Sequence, residues 1–501
     1  MSLDYGSFRL KILKGATWLA AQNWLSRGVS IVSLLILARI LTPEDFGVAA
    51  LALVSLTALE VIGGFSFELA LIKDQKAGRE DYNSVWTLAI IRNLVIGGLL
   101  LVGADLFAGF FEEERLSAVL RVLAIGVFIE GFHNVGAVDF RKELQYDKEF
   151  RLNFGATLTQ FGTTIVLAIL LQSYWALIGG VVMSRVVKTI LTYKMHPYRP
   201  SLTLTRWKHI MRFSRWLVLG NIINYIYNQF PVIVLGKTVS KHALGVFHVG
   251  QEMATFPTVR VIAPVLQVIF PGLAKISDDR SLTGRAVREL MAILAFIAFP
   301  AALGLSFVAP EVVPVLLGGD WSEAVPVIQV LAIYGLFRVW QSNAEMIFLA
   351  QDKAHLVMNM RLVGAIAQVI LVSLAVTYWD VLEACYAMAA AAAIAGFAAV
   401  YASARVVGLT ATDYVRATWR PILCSVAMIG VLEAWRTASA GSQFAENPIL
   451  ALVMVVALGV STYFLCHSII SLLVKSDPDL ETDVIRDFVF SRLPIKRDMP
   501  G

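Results

Sequence analysis

Four ionisable residues lie near the middle of long apolar stretches of this sequence: Arg27, Glu60, Arg260 and Arg338. An ionisable side chain at the centre of a bilayer costs at least ~2.5–3.5 kcal/mol on insertion scales, so each one needs a physical reason. One reason would be a water-filled cavity that receives an anionic group, which three central cations against one central carboxylate favour. The other would be neutralisation, for example of Arg27 by Glu60, or of Arg260 by Glu252.

Three glutamates could couple transport to an ion, and several other charges lie away from the predicted midplane. Glu60, Glu130 and Glu252 are candidates for coupling transport to an ion, although the last two lie off centre, as do Arg92 and Glu345. A third group is placed near the predicted ends of apolar stretches, where a long side chain reaches the interface at little cost. Its members are Arg39, Arg121, Arg185, Lys188 and Glu68.

Two trios of polar residues share the spacing i, i+3, i+7, which places each trio on one face of a helix. The trios are 198 residues apart and comprise Asn23, Ser26, Ser30 and Asn221, Asn224, Asn228. A one-sided polar face in lipid must meet protein or water. The pattern therefore indicates either a shared lumen, lined by both trios and the central arginines, or ordinary hydrogen bonds between helices.

Prolines interrupt the eighth apolar stretch. Pro257 and Pro264 each remove a backbone hydrogen bond, so we expect two kinks there. Bent helices beside a cavity suit a gate, but kinks also occur in static bundles.

The elements that position these residues are predicted to be fourteen membrane-spanning helices. The 501 residues are 57% hydrophobic and only 16% charged, with mean hydropathy +0.70, which excludes an ordinary soluble protein. Each stretch has roughly 20 residues or more, enough to cross the ~30 Å hydrocarbon layer as a helix. The predicted spans are 16–40, 46–72, 84–110, 117–138, 152–172, 174–194, 213–236, 243–272, 288–316, 324–350, 356–378, 380–406, 419–436 and 448–474.

The distribution of basic residues predicts the orientation. Lys and Arg concentrate at the N-terminus, in the connectors after even-numbered spans and in the tail, so both termini should be cytoplasmic. The net charge of +5 then reflects topology and not nucleic-acid binding. Cys385, Cys424 and Cys466 lie within spans as small buried hydrophobes. We recognise no metal-ligand cluster, nucleotide-binding loop or catalytic triad, so neither a cofactor nor an enzymatic reaction is expected.

The chain also contains an internal duplication. Residues 37–48 match residues 235–246 at the same spacing of 198 residues, with a cation, a hydroxyl and Gly-Val in equivalent places. Six spans separate the copies, so the two halves have the same orientation and should be related by a pseudo-twofold axis along the membrane normal. The predicted domains are an N-terminal six-helix bundle (1–194), a basic linker (195–212), a C-terminal six-helix bundle (213–406), and two extra helices with a cytoplasmic tail (407–501).

Two short motifs connect the chain to a known family. Residues 38–47 resemble the Arg-hydrophobic-Leu-x-Pro-Glu-Asp/Glu-Phe-Gly signature of Wzx-type polysaccharide flippases, and residues 139–146 are similar to the loop after the fourth span of those proteins. They belong to the multidrug/oligosaccharidyl-lipid/polysaccharide (MOP) exporter superfamily, which the chain resembles in topology over nearly its full length. The two extra spans after residue 406 resemble those of the lipid II flippase.

This resemblance implies an all-α, V-shaped pair of bundles in the bacterial inner membrane that alternates between inward-open and outward-open states. The implied cargo is an undecaprenyl-diphosphate-linked oligosaccharide, moved from the cytoplasmic to the periplasmic leaflet for exopolysaccharide or surface polysaccharide biosynthesis. Family lumens are typically cationic, and Arg27, Arg260 and Arg338 are candidates for that role by depth. The implied partners are the polyprenyl-diphosphate-linked glycan and membrane lipids, with a polysaccharide polymerase and export machinery as further candidates.

Two other classes stay open. A cation-coupled multidrug extruder of the same superfamily would need an acidic or aromatic pocket, and the excess of central arginines argues against it. A membrane glycosyltransferase or ligase generally needs a sizeable far-side loop with catalytic groups, whereas every far-side connector here is short.

Overall fold

The computed structural model describes residues 5–64, 67–378, 380–439 and 447–473, and all regular structure within these ranges is helical. The predicted all-α class is therefore confirmed. The α-helices are α1 (Tyr5–Ala38), α2 (Pro43–Ile62), α3 (Phe67–Lys73), α4 (Arg79–Phe111), α5 (Arg115–Gly131), α6 (Asp139–Lys142), α7 (Tyr146–Leu171), α8 (Trp175–Met195), α9 (Trp207–Thr238), α10 (Lys241–Thr255), α11 (Val261–Lys275), α12 (Arg280–Leu316), α13 (Ala324–Ala350), α14 (Ala354–Tyr378), α15 (Val381–Val407), α16 (Ala411–Ser439) and α17 (Pro448–Leu473).

Within the described ranges, nine helices are long and apolar enough to cross a membrane, and a bent pair brings the number to ten. These ten match ten of the predicted spans to within a few residues at most ends. The four other predicted spans overlap the helical segments α1, α2, α9 and the run from α10 to α11.

Two predicted spans are broken in the structure. In the span predicted over 46–72, the helix α2 ends at Ile62. It ends there because the next two residues, Gly63 and Gly64, are glycines, which are poor helix formers. The span predicted over 117–138 stops at Gly131 and bends by 75° into the segment Val135–Lys142. At this bend the Asn134 side chain accepts a hydrogen bond of 3.0 Å from the Gly136 amide, which starts a new helical turn.

The chain folds into two compact units. The first comprises residues 1–250, 317–327 and 361–391, and the second comprises residues 251–316, 328–360 and 392–501, within the limits of the described ranges. In the first unit α4 packs on α5, α7 on α8, α1 on α7 and α2 on α9. The predicted domain boundaries stay a prediction, and residues 474–501 of the predicted tail lie outside the described residues.

In the second unit, the two extra helices α16 and α17 pack against each other and on α12. Arg436 of α16 donates to Glu311 at 2.7 Å, and its guanidinium lies 4.2 Å from the centre of the Phe307 ring. Near the other end of α16, Asp413 lies 3.5 Å from Arg288. The Tyr463 hydroxyl of α17 donates to the Phe296 carbonyl at 2.9 Å. The extra pair is therefore fixed to α12 by polar contacts as well as apolar packing.

The two copies of the duplicated segment lie against each other within the first unit. A Cβ atom on Gly47 would collide with the carbonyl oxygen of Lys241, and one on Gly245 would collide with the carbonyl oxygen of Pro43. Gly47 and Gly245 are equivalent at the spacing of 198 residues, and so are Pro43 and Lys241. A reciprocal contact of this kind is what a twofold relation generates, because each copy then presents the same surface to the other. It agrees with the predicted pseudo-twofold relation, and it explains why both positions are glycine.

Candidate transport site

A triad of partly buried charges lies within the first unit. Arg185 of α8 donates through Nη2 to Glu60 of α2 at 2.7 Å and through Nη1 to Glu130 of α5 at 2.6 Å. The Arg185 side chain is 17% exposed, whereas those of Glu60 and Glu130 are 35% and 38% exposed. One guanidinium thus compensates two carboxylates from two other helices, and the triad carries a formal charge of −1.

Sequence reasoning did not find the central member of this triad. The sequence prediction puts Arg185 near the end of a span, but the residue is the eleventh of the 21-residue helix α8 and so lies at its midpoint. The predicted span 174–194 already places residue 185 near its middle, so its position in the sequence is the signal that would have identified it. Arg27 is the predicted partner of Glu60, but Glu60 accepts instead from Arg185, 125 residues further along the chain.

Arg260 lies in the second unit and is paired within its own chain segment. Its Nη2 atom donates to both carboxylate oxygens of Glu252, at 2.7 and 3.0 Å. The two side chains are 45% and 40% exposed, so the pair is accessible to solvent or ligand. This is the neutralised arrangement that the eight-residue spacing allowed, and it reduces the positive charge that Arg260 alone would contribute.

Arg27 and Arg338 both lie well inside long helices. Arg27 is half-buried in α1, and Arg338 is half-buried one residue beyond the midpoint of α13. The Arg338 guanidinium lies 5.9 Å from the centre of the Tyr334 ring, close enough for a cation–π interaction. Each arginine lies about three helical turns from the nearer end of its helix, further than its side chain extends.

The two predicted polar trios differ in their contacts. In α9, Asn221 donates to the Gly64 carbonyl at 3.2 Å, which satisfies a backbone oxygen just beyond the end of α2. Asn228 donates to the carbonyl of Asn224 at 2.7 Å and to its side-chain oxygen at 3.0 Å. Asn221 is therefore an ordinary interhelical contact, whereas Asn224 and Asn228 form a polar pair on one helix face.

In α1, Ser30 donates back to the Ser26 carbonyl at 2.9 Å, and Asn23 and Ser26 are partly buried on the same helix. Ser30 also lines a cavity of about 210 Å³ inside the first unit, with Thr157, Gln160 and Thr164 among its polar walls. This part of the predicted stripe therefore borders an internal space.

The two prolines of the eighth predicted span have different surroundings. Pro257 lies in a π-helical turn, Phe256–Arg260, that separates α10 from α11. Such turns are frequent at functional sites and mark a local break in the ladder of hydrogen bonds. Pro264 lies within the α-helical segment α11, which continues to Lys275. Their role as gating kinks stays a prediction.

A second charged cluster lies where α4 turns into α5. Arg115 donates to Glu113 and to Glu44, each at 2.6 Å, and Lys237 lies 2.5 Å from Glu112. The hydrogen bond from Arg115 lowers the pKa of Glu113, and the hydrogen bond from Lys237 lowers the pKa of Glu112. Both carboxylates therefore stay charged under ordinary conditions and tie the ends of α2, α4 and α9 together.

Comparison with known proteins shows the family to which this chain belongs. Residues 36–326 match the model of a family described as "Polysaccharide biosynthesis protein", and the chain belongs to that family. This stretch includes the duplicated segments, the triad of Glu60, Glu130 and Arg185, and the pair of Glu252 and Arg260.

Two curated relatives span most of the chain. The chain is 26% identical over 340 residues to the lipopolysaccharide biosynthesis protein WzxC of Escherichia coli (strain K12), which covers 66% of this chain and 68% of the relative. It is 22% identical over 484 residues to the teichuronic acid biosynthesis protein TuaB of Bacillus subtilis (strain 168), covering 96% and 99%.

Among solved structures, the lipid II flippase MurJ in an inward closed conformation superposes with a TM-score of 0.75. The match covers 90% of this chain and 98% of the flippase at 14% sequence identity, so it shows a common fold. The predicted likeness to the lipid II flippase is therefore confirmed at the level of the fold. The chain is a polysaccharide biosynthesis protein whose described residues include nine or ten helices that could cross a membrane.

Proposed function

We propose that the protein flips a polyprenyl-diphosphate-linked oligosaccharide from the cytoplasmic to the periplasmic leaflet of a bacterial inner membrane. The family and the relatives in lipopolysaccharide and teichuronic acid biosynthesis support a surface-glycan precursor as cargo. The observation that carries the proposal is the position of Arg27 and Arg338, each half-buried well inside a long helix. A charge at that depth is unfavourable unless it serves a ligand or a partner.

The physical barrier to flipping is the head group. A diphosphate with attached sugars cannot enter hydrocarbon unaided, because burying an unpaired charge costs tens of kcal/mol in an ideal low-dielectric medium. A hydrated cationic cavity lowers this barrier, while the polyprenyl chain stays in the surrounding lipid. Exchange between inward-open and outward-open states, by rocking of one half against the other, then delivers the head group to the opposite side.

The triad of Glu60, Arg185 and Glu130 supports a role in ion coupling. Two carboxylates share one guanidinium, so the cluster can accept a proton or another cation without separating both ion pairs. Glu252 is a weaker candidate, because Arg260 already contacts both of its oxygen atoms.

Under this proposal both chain termini are cytoplasmic, as the basic connectors indicate.

We expect Arg27→Ala and Arg338→Ala each to lower polymer export at least tenfold in a strain that depends on this protein. A lost charge-assisted contact to phosphate removes about 1.5–3 kcal/mol, and each 1.4 kcal/mol is a factor of ten. Arg27→Lys and Arg338→Lys should keep partial activity, because charge survives without a bidentate contact. The measurement is extracellular polymer per cell, normalised to protein in the membrane fraction.

The matched control is Arg121→Ala in α5. Arg121 is 52% exposed and pairs with Asp105, which is 71% exposed, so its removal should leave export unchanged. Wild-type polymer levels in both Arg27→Ala and Arg338→Ala would contradict the proposed cationic path. Proton-dependent efflux of organic cations by the wild-type protein would favour a drug extruder instead.

A further inference from the structure

We infer that a cavity inside the first unit is a separate binding site for a phosphate group. The cavity has a volume of about 400 Å³ and is bounded by α3, α4, α5, α6 and α8. This volume lies within the range of small-ligand pockets and far exceeds the space that one water occupies. Neither Arg27 nor Arg338 lines it, and Glu130 is the one lining residue that also belongs to the triad proposed for ion coupling. A phosphate site here therefore goes beyond the proposed function.

Three cations and two carboxylates line this cavity. The cations are Arg92, Arg141 and Lys188, and the carboxylates are Glu68 and Glu130. The charge of the lining is therefore positive before any pairing is considered. An anion is the ligand that such a lining favours, provided that some of the cations are available to it.

Both carboxylates already contact an arginine other than Arg92. Glu130 accepts from Arg185 at 2.6 Å, and Glu68 lies 3.9 Å from Arg141, which also donates to Glu149 at 2.5 Å. Among the described residues, neither Arg92 nor Lys188 has a carboxylate within ion-pair distance. Arg92 acts on Glu60 only through space. These two cations, from α4 and α8, are therefore the ones available to an anionic ligand.

An amide donor completes the site. Asn93 lines the same cavity and is only 4% exposed, yet its Nδ2 group has no hydrogen-bond acceptor among the described residues. The Nε atom of Arg92 is likewise buried without an acceptor there. Their one direct contact is a long hydrogen bond of 3.5 Å from Arg92 to the Asn93 side-chain oxygen. A buried donor without an acceptor is costly, and a bound phosphate oxygen would satisfy both groups.

Phosphate fits this donor set better than a carboxylate does. A guanidinium, an ammonium and an amide N–H can each reach a different oxygen of one tetrahedral group, and arginine favours phosphate through its planar fork. The phosphate could belong to a soluble diphosphate or to a lipid head group, since both offer the same oxygens. The experiment below separates these two sources.

The test measures binding to the purified full-length protein and does not depend on export. One arm titrates inorganic pyrophosphate by calorimetry, and the other detects phosphatidate retained from phosphatidylcholine vesicles by native mass spectrometry. We expect at least one probe to bind, and Arg92→Gln or Lys188→Gln to weaken that binding about tenfold or more. Binding of pyrophosphate assigns a soluble ligand, and binding of phosphatidate alone assigns a lipid head group.

Lys194→Gln is the matched control, because Lys194 lies on the same helix as Lys188 but does not line the cavity. Lys188→Arg should retain binding, and thermal denaturation of each variant separates a lost site from a lost fold. The inference is overturned if the wild-type protein binds neither probe. It is equally overturned if a folded Arg92→Gln, Lys188→Gln double variant binds as tightly as the Lys194→Gln control.

Discussion

Adding a single methyl group at Gly47 is expected to destabilise the protein severely. In Gly47→Ala the new Cβ would collide with the carbonyl oxygen of Lys241, a backbone atom that cannot rotate away. Overpacking usually costs about 1–3 kcal/mol, and a clash with backbone belongs at the upper end or above it. Gly245→Ala should behave the same way, because its Cβ would collide with the carbonyl oxygen of Pro43. The measurement is the yield of monodisperse protein and its thermal denaturation midpoint.

Gly98→Ala provides the control for the glycine variants. Gly98 lies in α4, and apart from its chain neighbours and the nearby backbone of that helix no atom lies within 4 Å of the Cβ position, so alanine there should be neutral or mildly stabilising. The double variant of Gly47 and Gly245 should lose less than the sum of the single losses, because either substitution alone already separates the two segments. A Gly47→Ala protein that denatures like Gly98→Ala would contradict the reciprocal contact.

Arg185→Gln is expected to have the second large effect. It would leave Glu60 and Glu130 close together without the guanidinium that bonds to both. Breaking a buried ion pair costs about 3–5 kcal/mol, and because both carboxylates are more than one third exposed we expect about 2–3 kcal/mol here. Thermal denaturation measures the loss, and export should fall with it.

A charge-neutral triad distinguishes stability from function. The triple variant Glu60→Gln, Glu130→Gln, Arg185→Gln removes all three charges and should regain most of the lost stability. If the triad couples an ion to transport, this stable variant should still fail to export. Arg121→Gln is the control, because an exposed pair contributes at most about 1 kcal/mol. An Arg185→Gln protein with the stability and export of that control would show that the triad matters to neither.

The sequence predicted the helices well because apolar length and basic connectors are properties of single segments. It did not predict the break after Ile62, which depends on where the glycine pair Gly63-Gly64 falls, or the bend after Gly131, which depends on the cap at Asn134. Boundaries of this kind are set by local capping and by tertiary contacts, which apolar periodicity does not register.

The sequence likewise predicted a charge pair that is close in the chain but not the pairs that are distant in the chain. The pair of Arg260 and Glu252 is one of the predicted alternatives, since the two residues lie eight residues apart on one helical run. The partners of Arg185 were not foreseen, because Glu60 and Glu130 come from two other helices and are 125 and 55 residues away in the chain. A repeat of 198 residues indicated that Gly47 and Gly245 are equivalent, but only the packed helices show that they meet the opposite copy.

The most direct test is a leaflet-exchange assay in proteoliposomes. Vesicles containing the purified protein and a polyprenyl-diphosphate-linked oligosaccharide are treated with a membrane-impermeant glycosidase, and the protected fraction of the glycan is followed with time. The wild-type protein should make the inner-leaflet pool accessible, and the Arg27→Ala, Arg338→Ala double variant should slow this step at least tenfold. Protection that stays at the level of protein-free vesicles, or a double variant as fast as wild type, would contradict transport through a cationic cavity.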